Sequence, residues 1–337
     1  MVGCELKNLK SQNPNPKSQN EITHHKSRIS NGMLRRMNEL NRRDFLAAAA
    51  AVPALAQTAR PAQSARPGGL VVCMHEATSD RFDFRTAMEG WAKAGIRAVE
   101  PNLMKVREFA EKNSPAAARR LLDDLGLKPM SSSNQLGIPE PGDGRAQALE
   151  DLKWKVELAQ QIGADRIVCP SAGPGMYTLD DYKRGADNLR EAAEIAKPFG
   201  VTLMLEFART SRFAACLPTA LKLVRETNHP NVRVMMDTYH FWGGTSKFED
   251  LELLRDGELH HLHFEDVPAD PPREILGQPN RVFPGEGIAP LKRIIALLKR
   301  KKYSGAVSLE MFNPMIQAMD PYEVAKKARA AIEPLIA

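Results

Sequence analysis

From Gly69 onward the chain alternates short apolar runs with longer stretches of helical period, eight times in about 270 residues. The short runs are Leu70–His75, Ile96–Glu100, Leu127–Ser133, Arg166–Pro170, Val201–Phe207, Val232–Asp237, Leu259–Phe264 and Ala306–Met311. Brief apolar runs separated by helical stretches read as parallel strands joined by crossover helices. Eight such units make the arithmetic of a single (β/α)8 TIM barrel, an α/β fold, over residues 69–337. An open, doubly wound sheet is the rival, but no G-x-G-x-x-G follows the first strand. The intervening stretches carry helix signals. Leu149, Leu152, Val156 and Ala159 share one face ahead of Gly163. Leu179, Tyr182, Ala186, Leu189 and Ala193 share another before Pro198. Ile288, Leu291, Ile294 and Leu298 line a third ahead of Lys299-Arg300-Lys301-Lys302. No second domain is visible.

A barrel of this kind gathers its chemistry at the C-terminal ends of its strands. The fifth run ends in Leu205-Glu206, the sixth in Met236-Asp237, the seventh in His261-Leu262-His263-Phe264, and the eighth reaches Leu309-Glu310. One such residue alone is ordinarily a salt-bridge partner or a core histidine. Four at matching positions on neighbouring strands can converge on one ion. Three carboxylates in one cavity are costly without a cation. The oxygen-rich set of Glu206, Asp237, His263 and Glu310 suits one divalent ion, with Mn2+ ahead of Mg2+, Co2+ or Zn2+.

Other residues near these ends have weaker claims. His75 closes the first run and is placed to touch a substrate or to serve the structure. His261 shares the parity of His263 and is expected one layer deeper, whereas His260 should pack outside the barrel. Phe241 and Trp242 could wall a ligand or simply pack a loop. Asn134–Arg145, rich in Gly and Pro, has the composition of a lid or a turn-rich surface loop. Gly173-Pro174-Gly175 is too short to cradle a phosphate.

The combination of Leu-Glu at strand five, D-x-x-H at strand six, H-x-x-D at strand seven and Ser-Leu-Glu at strand eight resembles the xylose-isomerase-like barrel superfamily. Within it the chain is most similar to the short sugar phosphate isomerase/epimerase branch, which includes hydroxypyruvate isomerase, ketose 3-epimerases and inosose dehydratase. The resemblance covers Gly69 to Ala337. It implies that Glu206, Asp237, His263 and Glu310 hold a metal, and that His240 and Arg281 meet substrate oxygens. Glu100 matches an acidic position supporting the site. It further implies that Glu206 and Glu310 act as acid and base on an α-hydroxy carbonyl sugar through an enediolate. The same site could instead expel a β-hydroxyl, as a dehydratase or keto-glycoside lyase would.

Composition matters most in the first 56 residues, which hold nine basic and four acidic side chains and so carry +5 of the formal net charge of +6. The barrel region is nearly neutral, which removes the basic footprint a nucleic-acid partner requires. Residues 1–40 read as disordered, or as lying upstream of a start at Met33 or Met37. Asn41-Arg42-Arg43-Asp44-Phe45-Leu46 and the Ala-rich run ending Ala54-Leu55-Ala56 read as a twin-arginine-type export signal over residues 41–56, directing the chain to the periplasm. If the signal is not used, the protein stays in the cytoplasm. Residues 57–68 form a linker. The apolar run is too short to span a bilayer, and no lipid-anchor cysteine follows it. Cys73, Cys169 and Cys216 make no disulfide framework.

The expected partner is a small sugar or keto-sugar, unphosphorylated because no Gly-rich nest or cationic cluster marks a phosphate site. A homo-oligomer is compatible with the sequence. Two rivals weigh less. An endonuclease IV-like nuclease needs histidines at the second and third strand ends, where this chain has Glu100-Pro101-Asn102 and Ser131-Ser132-Ser133-Asn134. A non-catalytic sugar-binding barrel should have lost a ligand, and all four are present.

Overall fold

The computed structural model describes residues 69–173 and 175–337, so the export signal, the linker and Pro174 lie outside the described residues. Eight strands follow one another: β1 (Leu70–His75), β2 (Ala98–Glu100), β3 (Lys128–Pro129), β4 (Arg166–Pro170), β5 (Thr202–Glu206), β6 (Val232–Asp237), β7 (Leu259–His263) and β8 (Gly305–Leu309). They pair in parallel in the order β3-β2-β1-β8-β7-β6-β5-β4, so the last strand lies beside the first and the sheet curls into a (β/α)8 barrel.

The seam between β3 and β4 is closed by irregular backbone. Ser132 N donates to Arg166 O (3.0 Å), Val168 N to Ser132 O (3.0 Å) and Gln135 N to Val168 O (2.9 Å). The expected strand over Leu127–Ser133 therefore shrinks to two residues. Pro129 cannot donate a ladder bond, and Ser133 forms a separate bridge to Asn102. The second strand also starts late, because Gly95 turns the chain at φ 88° and Ile96 still completes that turn.

The helices are α1 (Phe84–Lys93), α2 (Leu103–Lys112), α3 (Pro115–Asp124), α4 (Arg145–Ile162), α5 (Leu179–Ala196), α6 (Leu217–Thr227), α7 (Thr238–Trp242), α8 (Leu291–Arg300), α9 (Pro314–Gln317) and α10 (Pro321–Ile336). α4 stops where expected, at Gly163 in the left-handed conformation. Two sequence expectations need correction. Leu179 is 82% exposed, because it is the first residue of α5, beyond the packed part of that face. Ile288 is 52% exposed in the turn before α8, which starts only after Pro290.

The main core lies between sheet and helices and includes Trp91, Leu152, Leu205, Phe264 and Leu309. Alternate strand residues face the other way. There Cys73, Ala98 and Ala306 form one small cluster, and Val168, Met204 and Met235 another. Two residues further along, the same parity delivers His75, Glu100, Glu206, Asp237, His263 and Ser308. Apart from buried His261, the barrel interior thus turns from apolar to polar within one residue pair, at its C-terminal end.

Candidate metal centre

Glu206, Asp237, His263 and Glu310 each present a ligand atom, all within 4.8 Å of one another, and all four residues are buried. Glu206 and Asp237 end their strands, His263 ends β7, and Glu310 stands one residue past β8. His263 Nδ1 lies 3.2 Å from Glu206 Oε1 and 3.2 Å from Glu310 Oε2. Glu206 Oε1, Asp237 Oδ2 and His263 Nδ1 make no hydrogen bond. Asp237 Oδ2 is 2.8 Å from Arg281 Nη1, but the pair lacks hydrogen-bond alignment. Unpartnered buried atoms, two on carboxylates and one on an imidazole, with the Glu310 carboxylate beside them, fit a divalent cation.

Behind this group stands Glu100, fully buried. Its Oε2 accepts from His261 Nε2 (2.8 Å), His263 Nε2 (3.1 Å) and Ser308 Oγ (3.0 Å). The contact to His263 puts a proton on Nε2 and turns Nδ1 toward the cluster, as carboxylates do behind metal-binding histidines. Burial opposes charge on both partners. For Glu100, the histidines His261, His263 and His75 outweigh it and hold the acid well below its usual range. For His263, Glu310 and Glu100 outweigh burial and hold the ring well above its usual range. A proton and a cation therefore compete for Nδ1, so cation affinity should rise with pH.

Arg281 reaches the site by a detour. The chain leaves β7, and Asp266 pairs antiparallel with Val282 (Asp266 N to Val282 O, 2.9 Å), which draws Arg281 back over the strand end. Asp266 also fastens the following turn, accepting from Gly285 N (3.0 Å) and Ala289 N (2.9 Å). Gly285 has φ +90°, and a Cβ on Gly287 would lie 2.2 Å from Val267 O, so this turn requires both glycines. The guanidinium, 1% exposed, sits 4.9 Å from the Tyr239 ring centroid and 5.0 Å from that of Phe312. Its Nη1 lies 2.8 Å from Asp237, 3.1 Å from Glu265 and 3.2 Å from Glu310.

His240 sits beside it, Nε2 3.5 Å from Arg281 Nη2, while Nδ1 accepts from Arg209 N (3.3 Å). Burial first, and then Arg281, lower its pKa to about 4, so the ring is neutral at ordinary pH. Glu265 escaped the sequence reading. It is fully buried, and burial and Asp237 push its carboxyl well above the usual range. The signal was present: Glu265 follows His263 by two residues and so shares the parity of His261 and His263.

The remaining candidates divide. His75 joins the site, with Nε2 3.3 Å from Glu310 Oε1. His260 is half-buried and contributes its backbone carbonyl to Arg166 (2.8 Å). Phe241 is buried in the main core, and Trp242 packs beside Tyr239, Val267 and Leu276. The segment Asn134–Arg145 is tied down by Glu140, whose Oε1 accepts from Ser171 Oγ (2.6 Å), and by Arg145 Nη1 donating to Ile138 O (2.7 Å).

The chain is 26% identical over 264 residues to inosose isomerase from Halalkalibacterium halodurans, covering 77% of this chain and 93% of that one. It is 26% identical over 261 residues to L-ribulose 3-epimerase from Mesorhizobium japonicum, covering 71% and 79%. It is 27% identical over 237 residues to 3-dehydroshikimate dehydratase from Pseudomonas aeruginosa, covering 68% of this chain and 36% of that longer one. The crystal structure of the IOLI protein with a bound zinc atom superposes with a TM-score of 0.74 at 23% identity, over 79% of this chain and 98% of that one, a likeness of fold. The model of the xylose isomerase-like TIM barrel family matches residues 89–335. The chain belongs to the xylose isomerase-like TIM barrel family.

Proposed function

We propose that the protein is a divalent-metal-dependent isomerase or epimerase of a sugar or cyclic polyol ketone bearing an α-hydroxy carbonyl. The observation that carries this reading is the convergence of Glu206, Asp237, His263 and Glu310, the first three with buried donor atoms that have no partner. Relatives that are inosose isomerases and ketose 3-epimerases support it. A bound divalent ion would supply the positive charge that stabilises an enediolate as a carbon-bound proton leaves.

The chain's own groups supply the proton handling. Glu206 and Glu310 both approach His263 Nδ1, each to 3.2 Å. Burial, ahead of all other influences, pushes Glu206 up to about 7. Burial acts on Glu310 too, but His263, His75 and Arg281 outweigh it and hold that acid at about 2. The two carboxyls thus stand in different electrostatic surroundings, one dominated by burial and one by neighbouring cations, and a relay that removes a proton on one side and returns it on the other uses such a difference. Neutral His240 and the aromatic-flanked Arg281 orient substrate oxygens. Export through the twin-arginine-type signal would place this activity in the periplasm.

The test is deuterium wash-in from D2O into an inosose, D-psicose and L-ribulose by Mn2+-loaded enzyme. Exchange into at least one ketose is expected, falling by about 10²-fold or more in Glu310→Gln. Absence of exchange into all three, with Glu310→Gln matching wild type on every readout, would remove the reading. Loss of water from a probe without ketose exchange would shift it toward a dehydratase, the activity named for the Pseudomonas relative.

A further inference from the structure

We infer that His75 is a hydrogen-bond donor to the substrate oxygen beside Glu310, its proton fixed on Nε2 by the fold, and that its corner of the site holds no second metal ion. The inference rests on the isomerase or epimerase reading for the identity of the acceptor. Its structural part stands apart from that reading.

By distance alone the corner looks like a second cation site. His75, Glu100 and His263, all buried, can bring one ligand atom each within 4.8 Å of the others. Chemistry removes two of the three donors. His75 caps the short turn Glu76–Ser79, and its Nδ1 accepts the backbone N–H of Ala77 at 3.0 Å. A neutral imidazole that accepts at Nδ1 carries its proton at Nε2. A protonated nitrogen offers no lone pair to a metal. His263 is committed as well, because its Nε2 donates to Glu100 and its Nδ1 faces Glu206 and Glu310.

What remains is a donor aimed into the site. His75 Nε2 lies 3.3 Å from Glu310 Oε1 and 4.0 Å from Glu100 Oε1, yet makes no aligned hydrogen bond to either. The residue is 3% exposed, and its ring stands edge-on to His263 with centroids 5.3 Å apart. It is held from both ends, by its backbone cap and by that ring. A buried N–H with a fixed direction and no partner of its own is what preorganised recognition of a substrate oxygen requires. The ion pair of Glu310 with Arg281 engages Oε2, so Oε1 and the space beside it stay on the His75 side.

The experiment compares wild type, His75→Asn and His75→Gln. The Asn carbonyl can still accept from Ala77 N but cannot reach the Nε2 position, whereas the Gln amide can place a donor there. We expect deuterium wash-in to fall about a hundredfold in His75→Asn, the scale for losing one preorganised donor, and to return to within about tenfold of wild type in His75→Gln. Titration with Mn2+ should find one ion per chain in all three proteins, and 15N NMR of the wild-type histidines should place the His75 proton on Nε2. Two ions in wild type and one in His75→Asn would overturn the inference. So would a proton on Nδ1, unchanged exchange in His75→Asn, or equal loss in both variants. A wild type that exchanges no probe would sink the functional reading and the substrate contact with it, while the ion count and the tautomer would still decide the structural part.

Discussion

On the β5–β8 side of the barrel mouth, successive strand ends bring in acids and a histidine whose inward atoms are largely unspent. On the β3–β4 side, most polar groups are consumed by one another and by backbone, Ser131 Oγ and Gln135 Oε1 being exceptions. Ser132 Oγ donates to Arg166 O, and Ser171 Oγ bonds both Glu140 and Ser211. Glu206 Oε1, Asp237 Oδ2 and His263 Nδ1 have no such partners. Both sides bury polar atoms, so burial does not separate them. What separates them is whether the hydrogen-bonding capacity of a buried group is met from within the fold. Where it is met, the group fastens loops; where several carboxylates and an imidazole with unmet capacity converge, the arrangement can accept a cation.

The largest test of this contrast is Arg281, whose guanidinium faces Asp237, Glu265 and Glu310 together. Replacing it with Leu keeps much of the packing against Tyr239 and Phe312 but leaves buried carboxylates uncompensated. Breaking a buried pair by removing one partner costs about 3–5 kcal/mol. Urea unfolding of Arg281→Leu should show a loss of that size in chelator, and a clearly smaller loss with saturating Mn2+, because the ion stabilises both proteins but binds more tightly to the variant, whose acids have lost their competing cation. Equal losses in both conditions would mean that the acids and a cation do not share the site.

Glu76 lies at the border between the two regimes and gives an intermediate effect. One oxygen is spent on Asn102 N (2.7 Å), the other is unpartnered, and the residue is fully buried. Burial pushes its carboxyl from 4.5 up to about 8, against the weaker pull of the Asn102 bond and of Lys105. The sign follows from proton counts. Between these two values the folded chain keeps the proton and the unfolded chain releases it, so the stabilising contribution is full below pH 4.5 and is lost as pH rises through about 8. Glu76→Gln should flatten this slope, gaining up to about 4 kcal/mol relative to wild type at pH 8.5 compared with pH 5. Parallel stability curves for the two proteins would show that Glu76 stays neutral, or stays ionised, throughout.

The same contrast explains what was legible in the sequence. The strand ends on the β5–β8 side could be read because period-2 alternation ties parity to facing, so Glu206, Asp237 and His263 could be placed before any coordinates. Glu265 obeys the same parity but lies two residues past the end of β7, where strand alternation is a weaker guide to facing. The β3–β4 seam could not be read. Its pairing depends on Ser132 and Gln135 bonding across to β4 after Pro129 has ended the regular strand, and no local pattern encodes that choice. Arg281 was legible by resemblance alone. Its place over β7 depends on the long-range bridge between Asp266 and Val282, sixteen residues apart, and on a turn that only glycine fits. The exposed Leu179 and Ile288 mark a further limit: helical period identifies a face but not where packing along that face begins.

The smallest effect belongs to the saturated side. Glu140 Oε1 accepts from Ser171 Oγ and Gly173 N, and Ser171 Oγ in turn meets Ser211 Oγ (2.8 Å) and Ala214 N (3.2 Å). These bonds join the segment after β3 to the loops after β4 and β5. Ser171→Ala removes the shared hydroxyl and leaves Glu140 with one fewer donor, a change worth about 1–2 kcal/mol for a buried hydrogen bond. Thermal unfolding should detect that loss, while Mn2+ affinity and the rate of ketose exchange stay at wild-type values. The serine works through the loops it fastens, and no atom of the β5–β8 cluster depends on it. A Ser171→Ala protein with weakened Mn2+ binding would instead couple the two sides of the mouth, and the division between groups spent on the fold and groups held for a ligand would have to be redrawn to include Glu140.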